Sequence, residues 1–420
     1  MNSVANNDLG TRASGILRTT NAIRERSGQL LARARRGESA WFEVDDAQLD
    51  AAAAEVVDAT RAKYPSLAIP YHSRWRHFEA GGVDRKALLD ALLGDRSPAS
   101  RAHAMIDLTV VSVLLDAGAG PDWTYTETSS GQSFSRSEGL GVASFHAFTA
   151  GLFSSNSDKP LQVDAAGLRG LVADRLAEAF QAGPNNPLVG LEGRTVLLRR
   201  LGEAMAAQPE VFGSDGRPGG LYDTLVTPLG PEEAPRTADV AAHDILSQLL
   251  MSLSGIWPSN NSIGTVPVGD CWQHSAVRGE DGSDGWIPFH KLSQWLTYSL
   301  LEPFEWAGVQ VRGLEALTGL PEYRNGGLLL DSGVLRLRDP AHASASWKPG
   351  DELIVEWRAL TVALLDELAV KVRDKLGRSE EQLPLACILE GGTWAAGRAL
   401  AQRLRNGTPP LQIQSDGTVF

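Results

Sequence analysis

Residues 353–376 read LIVEWRALTVALLDELAVKVRDKL, and this stretch decides the fold. Apolar side chains recur at Leu353, Trp357, Leu360, Leu364 and Leu368, the three-to-four spacing of a helix and not the alternation of a strand. Working outward, the same spacing returns C-terminally over residues 385–404. Toward the N-terminus it returns over 290–301, 240–253, 195–207, 165–182, 140–151, 101–115 and 85–93. Residues 46–62 are rich in alanine and stop before Tyr64-Pro65, where the residue preceding proline avoids helical backbone. Strand signals are sparse: 123–127, and 328–337 about a turn at Asp331-Ser332-Gly333. Strand does not alternate with helix, so doubly wound α/β folds are excluded and a mainly α class is expected. Two stretches, 213–237 and 257–285 (the latter with Pro258-Ser259-Asn260-Asn261), read as long loops, which are functional or disordered when they occur inside a compact domain.

The chain has 420 residues, 43% of them hydrophobic, enough for a sizeable core. Its formal net charge of -12 argues against a phosphate-backbone binder, since nucleic-acid affinity rests on a basic footprint. Cys271 and Cys387 are its two cysteines, too few for a disulfide scaffold and without zinc spacing. The polar start Met1-Asn2-Ser3-Val4-Ala5-Asn6-Asn7 has no apolar core of a signal peptide, and apolar runs such as 110–115 fall short of the ~20 residues that span a bilayer. The expectation is a cytoplasmic protein acting on a small molecule, with no nucleic-acid or membrane partner. Neither phosphate-loop pattern nor a G-x-S-x-G elbow is present. His72 and His77, five apart, and Asp270 with His274 offer partial metal patterns, but each lacks a third ligand, so no metal is expected.

Two carboxylates stand in contexts ill suited to a solvated helix face. Glu322 lies in Pro321-Glu322-Tyr323-Arg324-Asn325-Gly326-Gly327, and Glu390 follows the apolar run Ala386-Cys387-Ile388-Leu389 and precedes Gly391-Gly392-Thr393-Trp394. A buried carboxylate is costly unless paired or used. For Glu322 the alternatives are a helix-terminal turn with a local Arg324 ion pair, or a carboxylate set against a developing cation. Glu390 either ends a helix and pairs with Arg398, or binds polar ligand groups and moves a proton, with Trp394 at i+4 facing the same cavity. Of Arg199 and Arg200, the second is expected to reach inward toward a phosphate or carboxylate. Ser133 and Ser135, in a polar loop that leads into a helix at Ser137-Glu138, suit either capping or sugar and phosphate recognition.

Longer motifs carry a family resemblance. Tyr71 to Glu79 (YHSRWRHFE), Ser135 to Gly141 (SRSEGLG), Pro288 to Leu296 (PFHKLSQWL), Leu320 to Gly327 (LPEYRNGG) and Ser415 to Phe420 (SDGTVF) resemble, over essentially the whole chain, a fungal and bacterial family linked to uracil catabolism. Some of its members carry a uracil phosphoribosyltransferase label, yet no acidic-pair loop for phosphoribosyl pyrophosphate is found here. From about Trp75 onward the order of motifs is also similar to the queuosine salvage proteins, nucleotide N-glycosylases with a helical, DNA-glycosylase-like fold. Their Asp-Tyr-Arg motif, carrying the catalytic aspartate, matches Glu322-Tyr323-Arg324. Their Glu-Gly-Lys-Arg-Val segment and following lysine match Glu192-Gly193-Arg194-Thr195-Val196 and Arg200. Their Leu-Asp-Tyr-Tyr-Leu-Trp motif matches Leu389 to Trp394, with Arg398 aligned. Both acids are Glu here, and Gly391-Gly392 replace the tyrosines, which implies a base pocket stripped of aromatic bulk.

The resemblance implies an N-terminal helical extension over 1–70 and a glycosylase-like catalytic domain over 71–420 with an insertion at about 213–285. It implies a metal- and cofactor-independent N-glycosidase acting on ribosylurea or its 5′-phosphate. Glu322 and Glu390 would be catalytic, and Arg200, Tyr323, Arg324, Trp394, Arg398, Ser133 and Ser135 would bind substrate. A phosphoribosyltransferase-like enzyme and a non-catalytic nucleotide-binding protein are the alternatives.

Overall fold

The computed structural model describes residues 2–229, 237–257 and 261–414. Its elements are mainly helices, joined by two- and three-stranded sheets of short strands. The chain divides into two units. One comprises Met1–His72, Ser259–Gln294 and Gly313–Ser415; the other comprises Ser73–Pro258 and Trp295–Arg312. One boundary between them falls at His72–Ser73. The expected extension folds with the C-terminal third, and the expected insertion is shared between the units.

In the first unit the helix Glu352–Leu376 is the axis. Every residue from Leu353 to Val362 is buried, so the helix is enclosed on all faces over that span. It ends at Gly377, whose φ of 63° suits a residue without Cβ, with Arg373 and Lys375 near the carbonyl end of its dipole. The helices Thr20–Arg35 and Leu49–Lys63 pack against it. Thr19 starts the former by accepting from the Ala22 amide at 3.1 Å. Ile23 and Leu30 meet Val355, Ala359 and Val362 in a core completed by Val277, Ile287 and Phe289. Burying side chains of this size stabilises by about 1.5–3 kcal/mol each. Short strand pairs belong to the unit, among them Phe42–Val44 antiparallel to Leu335–Leu337, and Cys271–Gln273 antiparallel to Trp286–Pro288.

In the second unit the helix Pro98–Leu114 is buried without interruption from Ala104 to Leu114. Asp107 within it accepts from the Val163 amide (3.0 Å), the Gly219 amide (2.7 Å) and Arg217 (2.6 Å), so one carboxylate fastens two distant segments. Val309–Arg312 runs parallel to Thr237–Ala241, which is antiparallel to Thr227–Leu229. The fully buried Arg85 forks onto the fully buried Glu127 at 2.7 and 2.8 Å. Ser130 and His146 each add a 2.6 Å bond to that carboxylate.

Several elements differ from expectation. Residues 328–337 are not a strand pair: Tyr323–Asp331 is a helix, and only Leu335–Leu337 is extended. Glu322 caps that helix, and its glycines are helical; a Cβ on Gly326 would sit 2.7 Å from the Trp357 ring. The polar loop before Ser137 is partly strand, Ser133–Ser135 pairing with Thr124–Thr126. The expected helix 165–182 is two, Ala165–Arg169 and Ala173–Ala179, the first ending at Gly170. The stretches expected as loops contain the helix Gly220–Leu225 and the strands Ser262–Ile263 and Val266–Pro267. Pro258-Ser259-Asn260 and the Ser415–Phe420 motif lie outside the described residues. No helix among the described residues is long and apolar enough to cross a membrane.

Candidate active site: two carboxylates held differently

Glu390 sits in an irregular stretch of helix. Leu385–Ile388 is α-helical, Leu389–Thr393 widens into a π-helical turn, and Trp394–Arg405 resumes the α-helix. Such single wide turns recur at functional sites because the extra residue re-aims a side chain. Gly391 and Gly392 lie against the helix Leu49–Lys63: a Cβ on Gly391 would be 3.2 Å from Thr60, and one on Gly392 would run into the Val56 carbonyl. The glycines therefore do not open a base pocket, as the exchange for two tyrosines implied. The space is filled by a neighbouring helix, and that approach brings the end of the helix to Glu390.

Lys63 Nζ meets Glu390 Oε1 at 2.5 Å, and the Tyr64 hydroxyl donates to the same oxygen at 2.9 Å. His72 arrives on a segment pinned by its amide to the Ala386 carbonyl (2.9 Å), and its Nδ1 lies 2.8 Å from Glu390 Oε2. Burial alone would raise this carboxyl, but His72 and Lys63 hold it down to about 2. Glu390 is thus a fixed anion at neutral pH and has no proton to give. The expected Arg398 partner is instead exposed, its guanidinium 5.5 Å from the Trp394 ring.

Glu322 is held by backbone. Its side chain accepts the Arg324 amide at 2.7 Å and the Asn325 amide at 2.5 Å, capping the helix Tyr323–Asp331. Asn325 braces the turn through the Leu320 carbonyl at 3.0 Å. Burial pushes the Glu322 carboxyl up, and the two amides with the charges of Lys291 and His72 only partly offset it. Its situation is unusual within this molecule. Glu127, Asp107, Asp270, Asp331, Glu356 and Glu390 each face an arginine, lysine or histidine directly. Asp164 does not, but four hydrogen bonds from neutral donors surround it. Glu322 is half-buried, accepts two neutral N–H groups and makes no ion pair at hydrogen-bonding distance among the described residues.

The remaining expected residues fall out as follows. Arg324 is buried, bonds the Gly407 carbonyl at 3.3 Å and stacks on Tyr323, so it does not pair with Glu322. Tyr323 is 38% exposed and Trp394 half-buried. Gly397 lets the helix Trp394–Arg405 cross directly on the Arg324 carbonyl, next to Glu322. Arg200, Ser133 and Ser135 belong to the other unit. Arg200 does not reach inward: it is exposed like Arg199, and the inward guanidinium of that helix is Arg194, spent on the carbonyls of Leu115 and Ala117.

Sequence reasoning missed Lys63, Tyr64, His72 and Lys291. His72 was weighed only with His77 as a metal pair, whereas His77 stacks edge-on against Trp295. Asp270 and His274 part as well, to Arg358 (2.8 Å) and Glu356 (2.9 Å). Among the described residues no three His, Cys, Asp or Glu side chains gather to hold a metal.

Known proteins place the chain. The Schizosaccharomyces pombe protein urg3 is 40% identical over 420 residues, covering 98% of this chain and all of that protein. Uracil catabolism protein 4 of Lachancea kluyveri is 40% identical over 381 residues, 84% of this chain and 85% of that one. With residues 16–420 matching its pattern as well, the chain belongs to the family described as Protein of unknown function (DUF1688).

Proposed function

We propose that the protein is an N-glycosidase of uracil catabolism, hydrolysing the N-ribosidic bond of ribosylurea or ribosylurea 5′-phosphate to urea and ribose or ribose phosphate. The catabolic setting is carried from the Lachancea kluyveri relative, whose name states it. The glycosidic chemistry is carried from the motif likeness to queuosine salvage proteins, and a helical DNA-glycosylase-like architecture is part of the same proposal. The observation that supports it best is Glu322, a half-buried carboxylate fixed by two backbone amides, with no contact ion pair among the described residues. Breaking a ribosidic bond builds positive charge on the sugar. A preorganised anion held by neutral amides stabilises that charge without having to release a contacting cation first.

Glu322 then faces the anomeric carbon, as ion-pair partner or nucleophile, and Tyr323 and Trp394 wall the sugar. Arg398, exposed beside Trp394, is the guanidinium of this unit best placed to take a 5′-phosphate. The test is urea release from ribosylurea and from its 5′-phosphate by wild type and Glu322→Gln. Urea from wild type that falls by orders of magnitude in the variant supports the reading. No urea from either substrate refutes it, and activity that appears only with phosphoribosyl pyrophosphate and magnesium identifies a transferase instead.

A further inference from the structure

Cleaving a bond to a ureido nitrogen also needs a proton. An amide-like anion is a poor leaving group, so the departing nitrogen has to be protonated as the bond breaks. Glu322 is committed to the sugar in the proposed reaction, and Glu390 is locked as an anion by Lys63, Tyr64 and His72. Of the groups in this cluster, His72 has the geometry for the task. Its Nδ1 is engaged by Glu390 at 2.8 Å, which makes Nδ1 the donor and leaves Nε2 to exchange a proton. Nε2 has no protein hydrogen-bond partner among the described residues, and the side chain retains 17% exposure. The ring contacts Glu390, which also meets Lys63 and the Tyr64 hydroxyl, and its charge acts on Glu322, as does that of Lys291.

We propose that His72 is the catalytic proton donor to the departing nitrogen, and that Glu390 is its positioning residue. This rests on the N-glycosidase reading. The C1′–N bond breaks with its electron pair going to nitrogen, which takes the Nε2 proton and leaves as neutral urea. Water adds to C1′ of the sugar cation beside Glu322 and returns its proton to Nε2. The net reaction consumes one water and restores the imidazolium.

The experiment compares ribosylurea with a 4-nitrophenyl riboside, whose leaving group needs no proton, in wild type, His72→Gln, Glu390→Gln and Glu322→Gln. His72→Gln is expected to lower urea release by about 10²–10⁴-fold, the usual worth of a positioned acid, while nitrophenol release changes by less than tenfold. Glu322→Gln lowers both. In wild type, kcat/KM for ribosylurea is expected to fall on the alkaline side, with that limb moved to lower pH in Glu390→Gln and absent in His72→Gln. An equal loss on both substrates in a folded His72→Gln protein, or a wild-type profile flat on the alkaline side, overturns the assignment. If His72→Gln does not fold, His72→Asn and the wild-type pH limb decide; the limb also decides if only ribosylurea is cleaved. Wild type inert toward both substrates refutes the N-glycosidase reading itself. Active wild type with an indifferent His72→Gln leaves that reading standing and removes only the role of His72.

Discussion

Glu127 and Glu390 have much the same chemistry and opposite surroundings. Each is buried, each meets a histidine nitrogen within 2.8 Å, and each is held down to about 2. Around Glu127 the fork of Arg85 with Ser130 and His146 occupies both carboxylate oxygens. Around Glu390 the cation is a lysine that remains half-exposed, and His72 acts on a second carboxylate, Glu322, held by two amides. A carboxylate–histidine pair is thus common property of structural knots and active sites. The neighbouring acid held by two backbone amides is what separates them.

Breaking the knot gives the largest effect on stability. Arg85→Met strands a fully buried Glu127 and is expected to cost about 3–5 kcal/mol, read as a lowered denaturant midpoint. Glu322→Gln should do the reverse: a smaller stability loss of about 1 kcal/mol, because the amide oxygen keeps one of the two capping bonds, with urea release down about 10²–10³-fold from loss of the anion. If the two variants exchanged their effects, the distinction between knot and site would collapse. Next in size is Gly392→Ala, whose methyl group must displace the Val56 carbonyl. We expect a loss of about 1–3 kcal/mol together with weakened activity, since the same helix carries Lys63 and leads into Tyr64.

The smallest effect sharpens the comparison through pH. Glu127 and Glu390 sit below the usual 4.5 in the folded chain, so their stabilisation is complete above that pH and fades as pH falls toward 2. Glu302, which burial raises to about 6 despite Arg76 and Ser73, runs the other way. Its contribution is complete below 4.5 and is lost as pH rises through 6. Unfolding midpoints measured from about pH 2 to 7 should therefore lose their acid-side slope partly in Glu390→Gln, and their slope between about 4.5 and 6 in Glu302→Gln.

How much of this was legible in the sequence depends on the range of the interactions. The helices were, because the apolar spacing of residues 353–376 is local and the enclosed helix obeys it. Glu322 and Glu390 were too, since a charge after Leu389 or between proline and two glycines conflicts with its neighbours. Their partners were not: Lys63, Tyr64 and His72 stand more than 300 positions from Glu390, and no spacing rule spans that distance. Glycine misled twice. Gly326 and Gly391-Gly392 read as turns or as an emptied pocket, and each instead admits a neighbour, an indole in one case and a helix in the other.

That wide turn has a further consequence. It amounts to one surplus residue threaded into an otherwise continuous helix, and so sets the angular phase between the turn ending at Ile388 and the helix beginning at Trp394. Exchanging side chains leaves the residue count, and hence the phase, unaltered; deleting a residue would swing Trp394 and Arg398 by roughly 100° about the axis relative to Leu385. The donors around Glu390 can therefore drift by point substitution, but the direction in which that helix presents its far end is written into the length of the chain.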